Sequence, residues 1–296
     1  MARRYDLLAV DLDGTLLNHA GRVGDDDLAA LRTARAAGMV VTVCTGRALG
    51  ESAHILEAIE QVTPVVVSGG AMVACPVTGA TLERFTLERE FVEEAVEFLA
   101  ERGHAALILK DPHATSLDYL VVGAEGEAGL DRASRWWFGR NALRVKYART
   151  LDLDEHHEHS VRIGAYRADE PVEDLAAALR ERFGGEAALQ HFCGVLPPGS
   201  QEACGLSSVH IVELFHPRVD KWQAIERLCG RLGVDAARTA AIGDQRNDLE
   251  MITHAGLGVA MANAHADVRA AADRTTGDNE SGGVAAAVER ILSGEW

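Results

Sequence analysis

Two aspartates, Asp11 and Asp13, stand two residues apart directly after a short apolar run that ends at Val10. Gly14 follows them and permits a sharp turn, because glycine adopts backbone conformations closed to other residues. If the run is a parallel strand, both carboxylates project from its carboxyl end, where open α/β sheets bind ligands. Carboxylates this close repel one another unless a cation or a shared proton intervenes. The pair therefore predicts a site for a hard divalent cation such as Mg²⁺. The alternative is an Asx-turn with a helix cap.

A second polar segment, Thr45-Gly46-Arg47, follows an apolar run over Met39–Cys44 and precedes a predicted helix. A hydroxyl, a glycine amide and a helix N-terminus together favour binding of a phosphate group. In the alternative interpretation Thr45 is an ordinary N-cap, and the triplet gains weight only from its position beside the first segment.

Lys221 falls in the first turn of a helix predicted over Asp220–Leu232. A cation there opposes the helix dipole at a cost of roughly 0.3–1 kcal/mol. A bound anion would compensate for that mismatch. The alternative is a solvated surface lysine.

The fourth segment, residues 243–248, has the sequence Gly-Asp-Gln-Arg-Asn-Asp and follows a predicted strand over Thr239–Ile242. We expect Asp244 to face Asp11 from a neighbouring strand end, with Asn247 and Asp248 capping the next helix and pointing into the same crevice. Capping by itself accounts for Asn247 and Asp248, but it does not explain a third carboxylate beside the acidic pair.

Short apolar runs alternate with amphipathic stretches at both ends of the chain, which predicts parallel βα units. Near the N-terminus the predicted elements are strand Tyr5–Val10, helix Asp25–Ala37, strand Met39–Cys44, helix Arg47–Ile59 and strand Val65–Val67. Near the C-terminus they are, after the helix and strand given above, helix Asn247–Ala255, strand Gly258–Met261, and helices near 264–272 and 283–292.

The middle of the chain has a different pattern, with predicted helices Glu88–Arg102 and Val172–Phe183 among alternating runs Val161–Tyr166 and Val209–Phe215. We predict an α+β domain over residues 85–215, inserted into a doubly wound α/β domain made of residues 1–84 and 216–296. A surface loop is expected around Leu196–Ser207. The segment Trp136-Trp137-Phe138 either packs in the core of the inserted domain or lines a substrate face.

The chain has 296 residues, 47% of them hydrophobic, enough for one large or two ordinary domains. Lys and Arg number 29 against 45 Asp and Glu, which gives a net charge of −16. Such a surface repels polyanions, so nucleic acid and anionic membranes are not expected partners. The sequence predicts no particular oligomeric state.

The five cysteines are odd in number and form no CxxC pair, which argues against a disulfide framework and against a thiolate zinc site. The apolar stretch Leu7–Val10 is too short for a signal peptide or a membrane span. We therefore expect a soluble cytoplasmic protein with reduced thiols. The run His156-His157-Glu158-His159 is either a zinc site or an exposed polar loop, and we favour the loop, because adjacent histidines diverge on any regular element and no distant ligand is specified.

The four polar segments, in this chain order, resemble the four motifs of the haloacid dehalogenase superfamily. Residues 261–264 and 281–285 are similar to the closing segments of its Cof-type sugar-phosphatase branch, and the insertion after the second motif is similar to a C2-type cap. The resemblance implies a Rossmann-like α/β core that carries an inserted α+β cap.

The resemblance also implies roles for the motif residues. Asp11 is the implied nucleophile, and Asp13 the implied general acid and base. The implied phosphate-binding residues are Thr45, Gly46, Lys221 and Asn247. Mg²⁺ is implied to be held by Asp11, the backbone carbonyl of Asp13 and Asp244, with Asp248 ordering its waters. The implied activity is Mg²⁺-dependent hydrolysis of a small phosphorylated metabolite, a sugar phosphate or similar, through an aspartyl-phosphate.

Two alternatives remain open at this stage. A phosphomutase on the same fold would return the phosphoryl group to the substrate, and a non-catalytic module would bind a phosphorylated ligand without turnover. Relatives often carry Asn at the position of Gly69 and Gly at the position of Trp222. These two departures bear on the substrate more than on the reaction.

Overall fold

A computed structural model describes residues 4–169, 172–194 and 205–296 of the chain. The chain divides into two compact units, Met1–Leu82 with Asp220–Trp296, and Glu83–Val219. We call them the discontinuous unit and the inserted unit. The loop predicted around Leu196–Ser207 falls mostly outside the described residues, as does Cys204.

The strands, in chain order, are β1 (Leu7–Val10), β2 (Val40–Val43), β3 (Val65–Val67), β4 (Met72–Ala74), β5 (Thr81–Arg84), β6 (Ala106–Lys110), β7 (Tyr119–Val122), β8 (Val145–Ala148), β9 (Ser160–Ala168), β10 (Ala188–Gly194), β11 (Val209–Phe215), β12 (Thr239–Gly243), β13 (Leu257–Ala260) and β14 (Arg274–Thr275). The α-helices are α1 (Asp25–Ala36), α2 (Leu49–Ala58), α3 (Arg89–Glu101), α4 (Pro112–Thr115), α5 (Arg132–Arg140), α6 (Glu173–Phe183), α7 (Lys221–Leu232), α8 (Leu249–His254), α9 (Ala266–Ala271) and α10 (Gly283–Ser293).

The sheet of the discontinuous unit is parallel, with strand order β14-β13-β12-β1-β2. Leu7 pairs with Thr239 on one side and Val40 on the other, so β1 lies between the two strands that precede the other polar segments. All four residues of β1 are buried, as expected for a strand covered on both faces. The carboxyl ends of β1, β2 and β12 therefore meet at one edge of the sheet.

Helices of this unit begin and end where the sequence supplies suitable groups. Three aspartates stand in the first turn of α1, where negative charge is favourable. The side chain of Asp220 accepts a hydrogen bond from the amide of Gln223 at 2.8 Å and caps α7, which ends at Gly233 in the left-handed conformation.

Two helices differ from the prediction at their first residues. The helix expected from Arg47 begins at Leu49, because the carboxylate of Glu51 accepts the Ala48 amide at 2.6 Å and closes the first turn there. The helix expected from Asn247 begins as a 3₁₀ turn over Arg246–Asp248, which α8 then follows.

The inserted unit contains a six-stranded sheet with order β10-β11-β9-β6-β7-β8, antiparallel except for the β7–β8 pair. One face is apolar and packs with residues of α3 and α6 in a single core that includes Ile108, Leu120, Ile163, Val212 and Phe183. Because side chains alternate along each strand, Tyr119, Arg162, Tyr166 and Glu213 share the opposite face. The fold class is therefore the predicted α/β unit with an α+β insertion.

Phe138 on α5 is buried and its ring lies 4.9 Å from that of Tyr119, whereas Trp136 and Trp137 are half-buried. Phe138 is therefore packed within the inserted unit, on the face of the sheet that carries Tyr119. Among the described residues, no helix is long and apolar enough to cross a membrane.

Candidate active site

The predicted site residues meet at the carboxyl edge of the parallel sheet. Asp11 follows β1 directly, and its amide donates to the carbonyl of Ile242 at 3.0 Å. Thr45 lies two residues beyond β2, and its amide donates to the carbonyl of Val66 at 2.9 Å. Asp244 follows β12. Three segments far apart in sequence are thus brought to one edge by strand register alone.

Three carboxylates form a buried cluster at this edge. Asp11, Asp244 and Asp248 each place one oxygen so that all three oxygens lie within 4.8 Å of one another. Burial, and then the charge of Asp248, raise the pKa of Asp11 well above its ordinary value. Burial and Asp248 also raise the pKa of Asp244 to about 7. Both shifts reflect the cost of holding like charges out of water.

Lys221 supplies the cation that faces this cluster. Its side chain is fully buried, and Nζ donates to Oδ1 of Asp11 at 2.6 Å and to Oδ1 of Asp248 at 2.5 Å. Burial by itself would lower the pKa of Lys221, but the two carboxylates outweigh it and raise that pKa above the ordinary value. The alternative of a solvated lysine is therefore wrong, because the carboxylates compensate for the unfavourable position in the helix.

Asp248 and Asp244 are fixed by further hydrogen bonds. The second oxygen of Asp248, Oδ2, accepts from the amides of Asp244 and Gln245, both at 2.9 Å. The hydroxyl of Thr15 donates to Oδ1 of Asp244 at 2.9 Å. Gly14 has φ +80°, and a Cβ there would come 2.4 Å from Oδ2 of Asp244. The glycine is thus required both by the turn and by the close approach of the two segments.

The carboxylate of Asp13 binds Arg47, whereas those of Asp11 and Asp248 bind Lys221. Arg47 binds the Asp13 carboxylate in a bidentate pair, with Nε 2.7 Å from Oδ2 and Nη2 2.5 Å from Oδ1. The side chain of Asp13 is 34% exposed, and its carboxylate is not part of the buried cluster. Sequence reasoning assigned no role to Arg47, although its position directly after Thr45 and Gly46 was a usable signal.

The segment after β2 forms a turn of its own before α2 begins. Oγ1 of Thr45 accepts a hydrogen bond from the amide of Arg47 at 3.1 Å, and the N-cap of α2 is Ala48. Thr45 is therefore not the N-cap of that helix. A Cβ at Gly46 would lie 3.6 Å from Nδ2 of Asn247, so these two predicted phosphate-binding residues are neighbours. Oδ1 of Asn247 is buried and has no hydrogen-bond partner within the described part of the chain.

A tight turn over Ser68–Gly70 holds this segment against the start of α7. The amide of Gly69 donates to the carbonyl of Thr45 at 3.0 Å. Gly70 has φ +104°, and a Cβ there would lie 2.1 Å from the carbonyl oxygen of Asp220. Trp222 is buried and stacks on His254, with ring centroids 6.1 Å apart. Gly69 and Trp222 thus serve packing around the site.

The donor set of the carboxylate cluster fits a hard divalent cation. Its ligand atoms are all carboxylate oxygens, they are buried, and three potential negative charges face the one ammonium of Lys221. Mg²⁺ prefers such oxygen ligands and tolerates a site completed by waters or substrate phosphate.

The protein has a parallel α/β sheet with carboxylates and a buried lysine at one strand edge, and an α+β unit is inserted into its chain. This is the arrangement of a capped hydrolase of the haloacid dehalogenase fold. The haloacid dehalogenase-like hydrolase family matches residues 8–288, and the chain belongs to that family.

Individual relatives agree with this assignment. The chain is 29% identical to "Phosphatase YwpJ" of Bacillus subtilis, over 97% of this chain and 99% of the relative. It is 28% identical to "5-amino-6-(5-phospho-D-ribitylamino)uracil phosphatase YitU" of the same organism, over 97% of each. A solved haloacid dehalogenase-like hydrolase from Bacteroides thetaiotaomicron superposes with a TM-score of 0.77 at 22% identity, over 97% of this chain and 99% of the other. The family resemblance predicted from the four motifs is confirmed.

Proposed function

We propose that the protein is a Mg²⁺-dependent phosphatase that hydrolyses a small phosphorylated metabolite through a phospho-aspartate on Asp11. The observation that carries the proposal is the buried bridge from Lys221 to Asp11 and Asp248 at the carboxyl edge of the sheet. Because Lys221 holds Oδ1 of Asp11, we assign Oδ2 as the attacking atom. Relatives named as phosphatases over nearly the full chain support the same reaction.

In the first half-reaction Asp11 Oδ2 forms a bond to phosphorus while the bond from phosphorus to the leaving oxygen breaks. Asp13 donates a proton to that leaving oxygen, which departs as an alcohol. Lys221 and the amide of Gly46 stabilise negative charge on the transferring oxygens. The hydroxyl of Thr45 and the side-chain amide of Asn247 complete the phosphate contacts.

In the second half-reaction water attacks the phosphorus of the phospho-aspartate, and Asp13 accepts the proton that the water loses. The bond from phosphorus to Asp11 then breaks, which releases inorganic phosphate and restores the carboxylate. One residue thus serves as the acid in the first step and as the base in the second.

Arg47 sets when Asp13 is available for these proton transfers. Its guanidinium holds both oxygens of Asp13. A phosphoryl group bound at Thr45 and Gly46 offers Arg47 a second bidentate acceptor, and phosphate competes well with carboxylate for arginine. Substrate binding would therefore release Asp13 for catalysis.

Mg²⁺ would be held by Asp11, Asp244 and the backbone carbonyl of Asp13, with Asp248 ordering its waters. When bound, the ion neutralises the clustered carboxylates and offsets charge on the phosphoryl oxygens. Both carboxylate oxygens of Asp248 already accept hydrogen bonds, Oδ1 from Lys221 and Oδ2 from two backbone amides, which favours an indirect role for this residue.

We assign catalysis to the discontinuous unit and selection of the leaving group to the inserted unit acting as a cap. The substrate class is a sugar phosphate or a similar small metabolite. The name of the YitU relative, which specifies a phosphorylated ribityl compound, supports this class. A net charge of −16 disfavours a nucleic-acid substrate. The cytoplasmic location expected from the sequence stays a prediction.

The test is phosphate release from a panel of sugar phosphates, nucleotides and cofactor phosphates, with wild type and Asp11→Asn compared at saturating Mg²⁺. An amide cannot attack phosphorus, so the variant should keep less than about a hundredth of wild-type kcat. Asp26→Asn, in the first turn of α1, is the matched control and should keep full activity. Retention of activity by Asp11→Asn contradicts the nucleophile assignment. Conversion of a substrate to an isomeric phosphate, without free phosphate, would identify a phosphomutase instead.

A further inference from the structure

The inserted unit contains a second group of potential metal ligands, apart from the candidate active site. Glu173, His191 and His210 each place one ligand atom so that the three atoms lie within 4.8 Å of one another. Among the described residues, the carboxylate cluster of Asp11 is the other group that meets this condition. The run His156–His159, the more obvious histidine motif in the sequence, does not meet it.

Strand register places the two histidines together. In the antiparallel pair of β10 and β11, His191 lies opposite Val212, and Cys193 lies opposite His210. Opposed residues, and residues two apart on one strand, share a face of the sheet. His191 and His210 are therefore diagonal neighbours on the same face, with Cys193 beside them.

The third ligand comes from a helix that packs on this face. Glu173 is the first residue of α6, and α6 contacts β10. Its side chain is exposed, whereas the two histidines are half-buried. The group thus combines one helix and two strands, and it lies at a surface that ions in solution can reach.

The chemistry of the group differs from that of the active site. Two imidazoles and one carboxylate are a ligand set of catalytic and surface zinc sites, with a fourth position open to water. Imidazole nitrogen favours zinc and neighbouring transition metals, whereas Mg²⁺ and Ca²⁺ favour oxygen ligands. We propose that Glu173, His191 and His210 form a binding site for Zn²⁺ or a similar divalent transition metal.

A neighbouring hydroxyl supports this site. Nε2 of His210 lies 3.1 Å from Oγ of Ser208. Metal-bound histidines commonly have their second ring nitrogen hydrogen-bonded, which fixes the ring and selects the tautomer. Ser208 is placed to do this for His210 when Nδ1 is the ligand.

The bound ion would tie the first turn of α6 to both β10 and β11. An ion that binds the folded state and not the unfolded chain stabilises the fold in proportion to its concentration over its dissociation constant. The site therefore acts as a zinc-dependent stabiliser of the inserted unit. It does not depend on the phosphatase reaction proposed above, and its test uses no measurement of activity.

The experiment measures zinc bound to the full-length protein by equilibrium dialysis and atomic emission, in millimolar Mg²⁺ so that the carboxylate cluster is occupied. Wild type should retain one more equivalent of Zn²⁺ than His191→Ala/His210→Ala. Glu173→Gln should weaken zinc binding by about tenfold or more. Thermal unfolding should shift upward with Zn²⁺ in wild type and not in the double histidine variant.

Two matched controls separate ligation from other effects. Asp174→Asn removes the same charge from the same helix turn but lies outside the cluster, so it should bind zinc like wild type. His157→Ala/His159→Ala tests the sequence motif and should also bind normally. Equal zinc binding by wild type and His191→Ala/His210→Ala overturns the proposal, as does an equal loss in Asp174→Asn and Glu173→Gln. If the double variant fails to fold by circular dichroism, the exposed Glu173→Gln decides the outcome.

Discussion

Both units of the molecule bury charged side chains, but they do so in different proportions. In the discontinuous unit the carboxylates of Asp11, Asp244 and Asp248 surround the ammonium of Lys221. In the inserted unit Arg162 and Glu213 form a one-to-one pair, with Nε 3.1 Å from Oε1 and both side chains at most 3% exposed. The first group has an excess of negative charge, whereas in the second group the positive and negative charges are equal in number.

The balanced group is satisfied by its own neighbours. The hydroxyl of Tyr166 donates to Glu213 Oε1 at 3.0 Å, and Arg162 also donates to the hydroxyl of Tyr119. In the same unit Lys110 is buried against Asp154 at 2.5 Å and the hydroxyl of Ser160 at 2.8 Å. Each buried cation there has a carboxylate partner, which is what a structural role requires.

The unbalanced group carries a free-energy cost that its own residues do not remove. The raised pKa values of Asp11 and Asp244 record that cost. Clusters of this kind concentrate where a ligand or an ion completes the charge balance. The comparison therefore separates the two groups physically: the balanced pair meets the requirements of a structural role, and the unbalanced cluster has the excess negative charge that the proposed metal binding and catalysis require.

The largest effect is expected for Lys221→Met, which removes the cation from between Asp11 and Asp248. Loss of a partner in a buried ion pair costs about 3–5 kcal/mol of unfolding free energy. Loss of a preorganised charge at the reacting phosphoryl group should also lower kcat about 10²- to 10³-fold. Denaturant unfolding and phosphate release measure the two effects separately.

Lys146→Met is the matched control for that substitution. Lys146 Nζ lies 2.8 Å from Oε2 of Glu155, and both side chains are at least one-third exposed. An exposed pair contributes little, so stability and kcat should be almost unchanged. Equal losses in the two lysine variants would contradict the special role of Lys221.

The balanced pair should behave differently when it is broken. Glu213→Gln leaves Arg162 buried without its carboxylate and should destabilise the protein by about 3 kcal/mol. The double variant Arg162→Met/Glu213→Leu should recover most of that loss, because apolar side chains need no partner. Urea unfolding of the single variants Arg162→Met and Glu213→Leu and of the double variant measures the coupling. A double variant as unstable as the sum of the single ones would argue against a paired structural role.

Features of the fold that depend on neighbouring residues were predicted from the sequence better than features that depend on residues far apart in it. The elements around the site were predicted within one to three residues, for example β1, β12 and α7, because caps and apolar runs are local signals. Strand β6 was missed because Ala106–Lys110 is a short apolar run buried on both faces. Such a run shows neither the alternation of a half-buried strand nor the spacing of an amphipathic helix.

The site residues were predicted as a group, but several of their partners were not. Strand register brings Asp11 and Asp244 together, and that follows from parallel βα order. The bond from Thr15 to Asp244 and the pair of Arg47 with Asp13 depend on side-chain directions in three dimensions. No spacing in the sequence encodes those directions, just as none links Glu173 to His191 and His210.

A smaller effect, of opposite sign, is expected for Asp244→Asn. In excess chelator the variant should be more stable than wild type by on the order of 1 kcal/mol, because it removes one of three like charges. The gain is limited, since Gln245 Nε2 now donates to Oδ2 of Asp244 at 3.0 Å, and an amide nitrogen there would repel it.

Added Mg²⁺ should reverse that order. Wild type should gain thermal stability from the ion by mass action, and Asp244→Asn should gain little, because a ligand carboxylate is lost. Thermal unfolding of both proteins, in chelator and in Mg²⁺, gives the four melting temperatures that this comparison needs. The same upward shift in the two proteins would remove Asp244 from the metal site.

The smallest effect is expected for an ion pair at the surface. Water screens the charges of such a pair, but it does not screen those of the two buried groups. Arg32 binds Glu60 through two hydrogen bonds, of 2.7 and 3.2 Å, a geometry as good as that of the buried pairs. The side chains are, however, 52% and 61% exposed. Arg32→Ala should therefore change Tm by less than about 2 °C, because exposed pairs contribute little to stability. Any difference from wild type should shrink further in 1 M salt, where screening acts within a few ångströms. A loss of Tm comparable to that of Glu213→Gln would mean that pair geometry, rather than burial, decides what these charges contribute.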